Sequence, residues 1–380
     1  HCHPGGRQLF RRAGDVLRRA GARIFRKFGR IDRLRRRIGA AQLFLHVDRL
    51  QGDRIADRGG RDHPDRVFPG IEPDRFHRLF IEVEPRAVQR NLGVVVVDAP
   101  DPDRVFFAGV APPVGDVAAG ADAVFCLGTN GEFYILSEEE KLKVIRIVVD
   151  EVKGRVPVYA GTGCPGTKAT IALSLKAKEL GADVLSIISP YFAAISQKEI
   201  FEHYKAIAEA VDLPIVMYNM PARTGNNIDP ATAAELAKIP NIAGIKDSSG
   251  NWDNLKGYIE ATKGMDFSVL SGNDSLILPA LKEGGAGGIT AVANIYPETM
   301  VSIYRRFLAG DIAGAEEAQN SIANIRACFK FGNPNTVTKK ATNLNDNPVG
   351  PCRAPFCYLS DEAVAETART LEADRAKGMR

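Results

Sequence analysis

The sequence predicts an α/β protein: a (β/α)8 TIM barrel with a helical C-terminal extension and a first βα unit that is atypical or missing. Three observations support this prediction. Short apolar runs alternate with helical patterns seven times from Ala123 onward. Three more helical stretches follow the last of these units. The chain of 380 residues also exceeds the roughly 250 residues that a barrel of ordinary size needs.

The apolar runs have the length of buried parallel strands, and each is followed by a helix-start signal. Ser137 followed by three glutamates, for example, supplies an N-cap and an acidic first turn. Strands are expected near Ala123 to Leu127, Val156 to Gly161, Asp183 to Ser189, Pro214 to Asn219, Ile242 to Asp247, Phe267 to Ser271 and Gly288 to Val292. Helices are expected to begin near Ser137, Thr167, Ser196, Asp229, Trp252, Ser275 and Tyr296, and the final stretches near Ile312 to Phe331, Thr336 to Leu344 and Ser360 to Lys377.

The missing eighth strand has one candidate, the valine run Val94 to Val97, because β-branched residues suit a buried strand. Pro112-Pro113 then interrupts the helix that would follow it. We therefore assign residues 93–310 to the barrel, with imperfect closure as an open alternative, and residues 311–380 to the helical extension, whose expected role is packing against the barrel wall.

Residues 1–92 differ in composition from the rest. Up to Arg104 the chain has 22 Arg and one Lys, and after it 10 Arg and 17 Lys. This segment is predicted to be an atypical, Arg-rich N-terminal extension that is either disordered or the product of a wrong reading frame. Nucleic-acid binding by its arginine clusters is a weaker alternative, since acidic residues are mixed in and no known module is visible.

Composition excludes several other classes. With 45% hydrophobic residues and a formal net charge of +4, the chain is globular and implies no acidic partner. The six cysteines form no C-x-x-C pair, so we expect no metal site and a reduced, cytoplasmic location. No apolar run approaches the ~20 residues of a membrane helix. No nucleotide-binding glycine motif is present, and no cofactor is predicted.

The stretch Leu213 to Gly250 carries the strongest chemical signal. Lys246 ends an apolar strand, where partial desolvation disfavours a charged amine and favours attack on a carbonyl carbon. Tyr218 and Arg223 follow at the end of the preceding strand. A tyrosine there would relay protons, and an arginine would hold a carboxylate by two parallel hydrogen bonds. Together these residues point to a Schiff-base enzyme acting on a 2-oxo acid.

The segments Tyr218-Asn-Met-Pro-Ala-Arg-Thr-Gly225 and Gly244-Ile-Lys-Asp-Ser248, preceded by Gly128-Thr-Asn-Gly-Glu132, resemble the dihydrodipicolinate synthase and N-acetylneuraminate lyase family of class I pyruvate aldolases. The resemblance covers most of the chain after Ala118. It implies that Lys246 forms the Schiff base with pyruvate, that Tyr218 relays protons, and that Thr129 hydrogen-bonds this tyrosine. It also implies substrate-binding roles for Asn130, Arg223, Gly272, Ile289, Gly128 and Gly131, with the two loop glycines letting backbone amides face the pyruvate carboxylate.

The chain departs from the family's pattern at several positions. Asn130 replaces a threonine that contacts pyruvate, and Phe192 stands where the synthase has a second relay tyrosine. Glu138 and Lys141 stand where lysine-inhibited members have histidines, and Pro165 replaces an asparagine, so we expect no inhibition by lysine.

The expected function is therefore that of 4-hydroxy-tetrahydrodipicolinate synthase or a close homologue, a lyase of lysine biosynthesis acting on pyruvate plus an aldehyde or 2-oxo acid. Two alternatives remain open. One is a 2-oxo sugar-acid aldolase or N-acetylneuraminate lyase-like enzyme, and the other is an inactive fragment with an aberrant N-terminus. The resemblance also implies a homotetramer built as a dimer of dimers, without membrane or nucleic-acid partners.

Overall fold

The fold is a closed barrel of parallel strands in the order β1 to β8. A computed structural model describes residues 94–98, 119–345, 347 and 349–379. The Arg-rich extension 1–92 and the Pro112-Pro113 interruption lie outside the described residues. The valine run does form a strand, Val94–Asp98, and it closes the barrel. It pairs with β2 in the register Val96↔Ala123 and with β8 in the register Val94↔Gly287.

The strands are β1 Val94–Asp98, β2 Ala123–Cys126, β3 Val158–Gly161, β4 Val184–Ile188, β5 Ile215–Asn219, β6 Ile242–Asp247, β7 Ser268–Ser271 and β8 Gly287–Thr290. The α-helices among the described residues are α1 Glu138–Val152, α2 Thr167–Glu179, α3 Gln197–Ala210, α4 Pro221–Thr224, α5 Pro230–Leu236, α6 Trp252–Ala261, α7 Ile277–Glu283, α8 Pro297–Ala309, α9 Ile312–Ser321, α10 Ala323–Ala327, α11 Pro334–Leu344 and α12 Asp361–Ala376.

The helix starts follow from capping chemistry. Ser137 Oγ and Ser196 Oγ each accept a hydrogen bond from the third helical amide, and the carboxylates of Glu140 and Glu199 accept one from the backbone amide of the capping serine. Both caps form complete capping boxes at the ends of βα loops. These two helices therefore begin within a residue of the predicted positions, and the strands they follow end at the same rim of the barrel.

The strands β2 to β5 are buried at every position, which explains why they read as continuous apolar runs. All seven predicted strands are present with small changes at their ends. The expected stretch from Ile312 to Phe331 is divided into α9, α10 and a 3-10 helix, Cys328–Phe331. The one-turn helix α4, which carries Arg223, was not predicted.

The core has two parts. The larger lies within and around β2 to β7, and the smaller packs α7 and α8 against the C-terminal helices. Met300 and Ile303 of α8 belong to this second cluster, together with Ile325 and Val337 of the extension. The C-terminal helices thus share a core with the barrel's last units, which brings them near the rim that carries the predicted site.

Candidate active site

Lys246 lies at the C-terminal end of β6 and is only 6% exposed. Its Nζ atom is 4.1 Å from the centroid of the Tyr218 ring and 4.9 Å from that of Phe125. Strand pairing produces this arrangement, since Tyr218 and Lys246 are register partners on β5 and β6. Among the described residues, no carboxylate forms an ion pair with this amine. The amine is therefore held by aromatic faces inside the barrel.

Tyr218 is 3% exposed, and its hydroxyl lies 2.9 Å from Thr129 Oγ1. The same hydroxyl donates to Met220 Sδ at 3.1 Å. The hydrogen bond between Thr129 and Tyr218 that the sequence resemblance implied is thus present. It joins the loop after β2 to the end of β5, which are 89 residues apart in the chain.

A cavity of about 160 Å³ opens above Lys246. The predicted residues that line it are Thr129, Asn130, Tyr218, Arg223, Lys246, Gly272 and Ile289. Gly272 permits the close approach, because a Cβ atom there would lie 2.9 Å from Lys246 Cε. The structure therefore brings residues from five separate strand ends to one small volume.

Gly128 and Gly131 are not among the residues that line this cavity, and their substrate-binding role stays a prediction. They lie buried within the loop 128–132, which we call the GTNGE loop. The left-handed backbone conformations fall instead on Leu127, with φ of 62°, and Glu132, with φ of 55°. A left-handed non-glycine residue costs on the order of 1 kcal/mol, so contacts outside the loop must hold this shape.

The C-terminal extension also contributes to the cavity, which sequence reasoning missed. Arg326, Phe329, Pro334 and Asn335 are among the lining residues. Packing alone was expected of this extension, and the structure corrects that expectation. The signal that could have indicated this role is the number of polar residues in α11, several of which are buried. These are Asn335, Thr336, Thr338, Lys339 and Thr342.

Arg326 approaches the cavity from the side of β7. Its Nη1 donates to Asn273 Oδ1 at 2.7 Å and lies 3.4 Å from Asp274 Oδ2. Burial raises the pKa of Asp274, although Arg326 and the amides of Ala291 and Val292 oppose that rise. Arg326 and Arg223 both line the cavity, together with Asp274, and their guanidinium groups suit an anionic substrate.

A second cavity of about 260 Å³ adjoins the first and shares Thr129, Arg223 and Asn335 with it. Its other walls are mainly aromatic: Phe133, Tyr134, Tyr191 and Phe356. Phe133 meets Tyr134 and Tyr191 edge to face. Phe192, the residue in place of the second relay tyrosine, lines neither cavity and is fully exposed with φ of 84°.

No group of three or more His, Cys, Asp or Glu among the residues that the structure describes is arranged to hold a metal ion. No helix in the same part of the chain is both long and apolar enough to cross a membrane.

The fold and the cavity define a class: a TIM barrel with a lysine-centred site at the C-terminal ends of its strands. The sequence model of the dihydrodipicolinate synthetase family matches residues 115–374. This chain belongs to that family.

Individual members of this family are similar to the chain in sequence and in structure. The 4-hydroxy-tetrahydrodipicolinate synthase of Methanosphaerula palustris is 42% identical over 256 residues, which cover 67% of this chain and 87% of the relative. 4-Hydroxy-tetrahydrodipicolinate synthase 1 of Halalkalibacterium halodurans is 38% identical over 288 residues, covering 74% and 96%. The crystal structure of YagE from E. coli K12, a prophage protein of the dihydrodipicolinic acid synthase family in complex with pyruvate, superposes with a TM-score of 0.69 at 30% identity, covering 75% and 99%.

Proposed function

We propose that this chain is a class I lyase that forms a Schiff base between Lys246 and pyruvate and acts as a 4-hydroxy-tetrahydrodipicolinate synthase or a close homologue. The observation that carries the proposal is the buried Lys246 amine against the Tyr218 ring, with the Tyr218 hydroxyl hydrogen-bonded to Thr129. Relatives of that name at 42% and 38% identity support it.

In the proposed reaction, the uncharged Lys246 amine attacks the keto carbon of pyruvate, and uptake of one proton with loss of water gives an iminium ion. Loss of a methyl proton converts the iminium to an enamine, whose methylene carbon attacks the aldehyde carbon of the second substrate and regenerates the iminium. The alkoxide formed from the aldehyde takes up a proton, and attack on the iminium carbon by water or by an amine of the second substrate releases the product from Lys246. Tyr218 and Thr129 carry the protons that these steps release and consume. The lysine supplies the electron sink, so the proposal calls for no added cofactor.

Side chains that line the two cavities can bind the carboxylates of the two substrates. Asn130 has a side-chain amide that can donate to the pyruvate carboxylate in place of the family's threonine. Arg223 lines both cavities and suits the carboxylate of the second substrate. Gly272 and Ile289 would shape the pyruvate pocket, and Gly128 and Gly131 would act through the shape of the GTNGE loop.

A sugar-acid aldolase remains a second candidate, and one observation favours it. Phe192 has no hydroxyl, so it cannot take the part of the second relay tyrosine. The deciding experiment is a comparison of acceptors with pyruvate held constant. Faster turnover with aspartate semialdehyde than with sugar aldehydes would support the synthase, and the reverse order would support the aldolase.

The proposal extends to assembly and location. We propose a homotetramer, as is common in this family, and light scattering of the purified protein would test it. We also propose a cytoplasmic location, because the sequence shows no cysteine spacing typical of a disulfide framework.

A further inference from the structure

The GTNGE loop is held by helix α11 of the C-terminal extension. Asn335 Nδ2 donates a 2.6 Å hydrogen bond to the backbone carbonyl of Thr129 and lies 3.0 Å from the Tyr134 hydroxyl. The same carbonyl accepts the amide of Glu132 at 3.1 Å. The backbone on which the Thr129 hydroxyl is mounted is therefore fixed from outside the loop, by a residue 206 positions further along the chain.

The end of the loop is held by the same helix. The Glu132 carboxylate forms a buried ion pair with Lys339 Nζ, the two side chains being 2% and 5% exposed. Its other oxygen accepts the backbone amide of Arg353 at 3.0 Å. Lys339 lies four residues after Asn335, one helical turn along the same face. Helix α11 thus contacts the loop at both its second and its last residue.

These contacts explain how the loop keeps its shape. Leu127 and Glu132 both have left-handed backbone conformations, which non-glycine residues adopt only where the surroundings enforce them. Glu132, one of these two strained residues, is also the residue whose carboxylate is bound by the Lys339 ammonium group and the Arg353 backbone amide. Without these contacts, the loop would relax and carry Thr129 away from Tyr218.

We propose that Asn335 is a positioning residue for the proton relay and acts through the backbone of Thr129, with the Glu132–Lys339 ion pair as a second anchor. The inference rests on the proposed function, because it concerns the step in which Tyr218 moves a proton. The C-terminal extension then has a part in the chemistry as well as in packing. Asn335 lines the cavity, but its effect on the reaction passes through Thr129.

The test uses exchange of the pyruvate methyl protons with deuterium from D₂O, followed by NMR, which requires Schiff-base and enamine formation but no second substrate. Asn335→Asp keeps the shape of the side chain and places an oxygen opposite the Thr129 carbonyl, so the donor is lost. Asn320→Asp, at an exposed position on α9, makes the same chemical change away from the site. Lys339→Met removes the second anchor, and Lys340→Met is its control at the neighbouring position.

We expect Asn335→Asp to lower the maximal exchange rate about 10- to 100-fold, while the pyruvate concentration at half-saturation changes less than about 3-fold, because the amine and pocket remain. The pH profile of exchange should also shift. Lys339→Met should act in the same direction with a lower melting temperature, and neither control should change the rate. Asn335→Gln, which keeps an amide donor at this position, should retain part of the exchange rate that is lost in Asn335→Asp.

The outcomes separate this inference from the proposed function. Wild-type protein that exchanges no methyl protons and traps no pyruvate with borohydride would contradict the proposed function itself. Wild-type exchange together with an unchanged rate and pH profile in Asn335→Asp would overturn the positioning role alone. An Asn335→Asp variant that melts at a lower temperature but, when folded, exchanges methyl protons at the wild-type rate would also overturn the positioning role.

Discussion

Substitution of Gly272 by alanine should disable the site by crowding the lysine. A Cβ atom at this position would lie 2.0 Å from Ser248 Oγ, 2.9 Å from Lys246 Cε and 3.1 Å from the Asp247 carbonyl oxygen. The Ser248 hydroxyl can rotate away, but the Lys246 side chain is buried against the rings of Tyr218 and Phe125. The added methyl group must therefore displace the amine or the strand end.

Overpacking of this kind costs roughly 1–3 kcal/mol of stability. A displacement of the amine by about 1 Å should slow formation of the pyruvate adduct by about 100-fold. The assay is the rate of borohydride-trapped adduct at limiting pyruvate, measured by intact-protein mass, together with a thermal melt. Gly166→Ala is the control, since no heavy atom lies within 4 Å of its Cβ and its φ is −111°. Wild-type trapping kinetics and melting temperature in Gly272→Ala would refute the reasoning.

Three further predictions concern the relay, the pH dependence of stability and regulation. Tyr218→Phe keeps the ring over the amine and removes the hydroxyl. Borohydride should still trap one pyruvate adduct, formed more slowly than in wild type, while turnover falls about 100- to 1000-fold; wild-type turnover in a folded variant would contradict a relay role. Burial lowers the pKa of His203 from 6.5 to about 4. The unfolded chain then binds a proton that the folded chain does not, and stability should fall as pH drops from 6.5 toward 4 and be unaffected above that window. The free energy of unfolding that is lost between pH 6.5 and 4 should be smaller by roughly 1–3 kcal/mol in His203→Gln than in wild type. Urea unfolding across this pH range measures it, and an equal loss in both proteins would contradict the prediction. Millimolar lysine should leave most of the steady-state rate, because Glu138 and Lys141 stand where inhibited members have histidines and Glu138 already pairs with Lys176; strong inhibition would show that another site binds lysine.

Much of the barrel was predictable because its elements are encoded locally. A buried parallel strand requires a continuous apolar run, and Ile242 to Asp247 was predicted with the same bounds that it has in the structure. Capping boxes at Ser137 and Ser196 likewise mark helix starts within three residues of chain. The residues Lys246 and Tyr218 could be singled out because strand ends of a parallel barrel share one rim.

The contribution of the extension was not predictable from the same signals. The contact of Asn335 with Thr129 spans 206 positions, and no periodicity in either segment indicates it. Hydrophobic patterning assigns a face to α11 but does not say which polar residues on that face meet a partner. The left-handed residues that flank and end the GTNGE loop were not predictable for a related reason. A glycine shows where a left-handed conformation is easy, whereas tertiary contacts imposed it on Leu127 and Glu132.

The central claim is that Lys246 forms a Schiff base with pyruvate, and intact-protein mass after incubation with pyruvate and borohydride tests it most directly. Wild type should gain one pyruvate-sized adduct, and Lys246→Ala should gain none. Lys238→Ala, which removes an exposed amine, should behave like wild type. An adduct that persists in Lys246→Ala, or that is absent from well-folded wild type, would contradict the account.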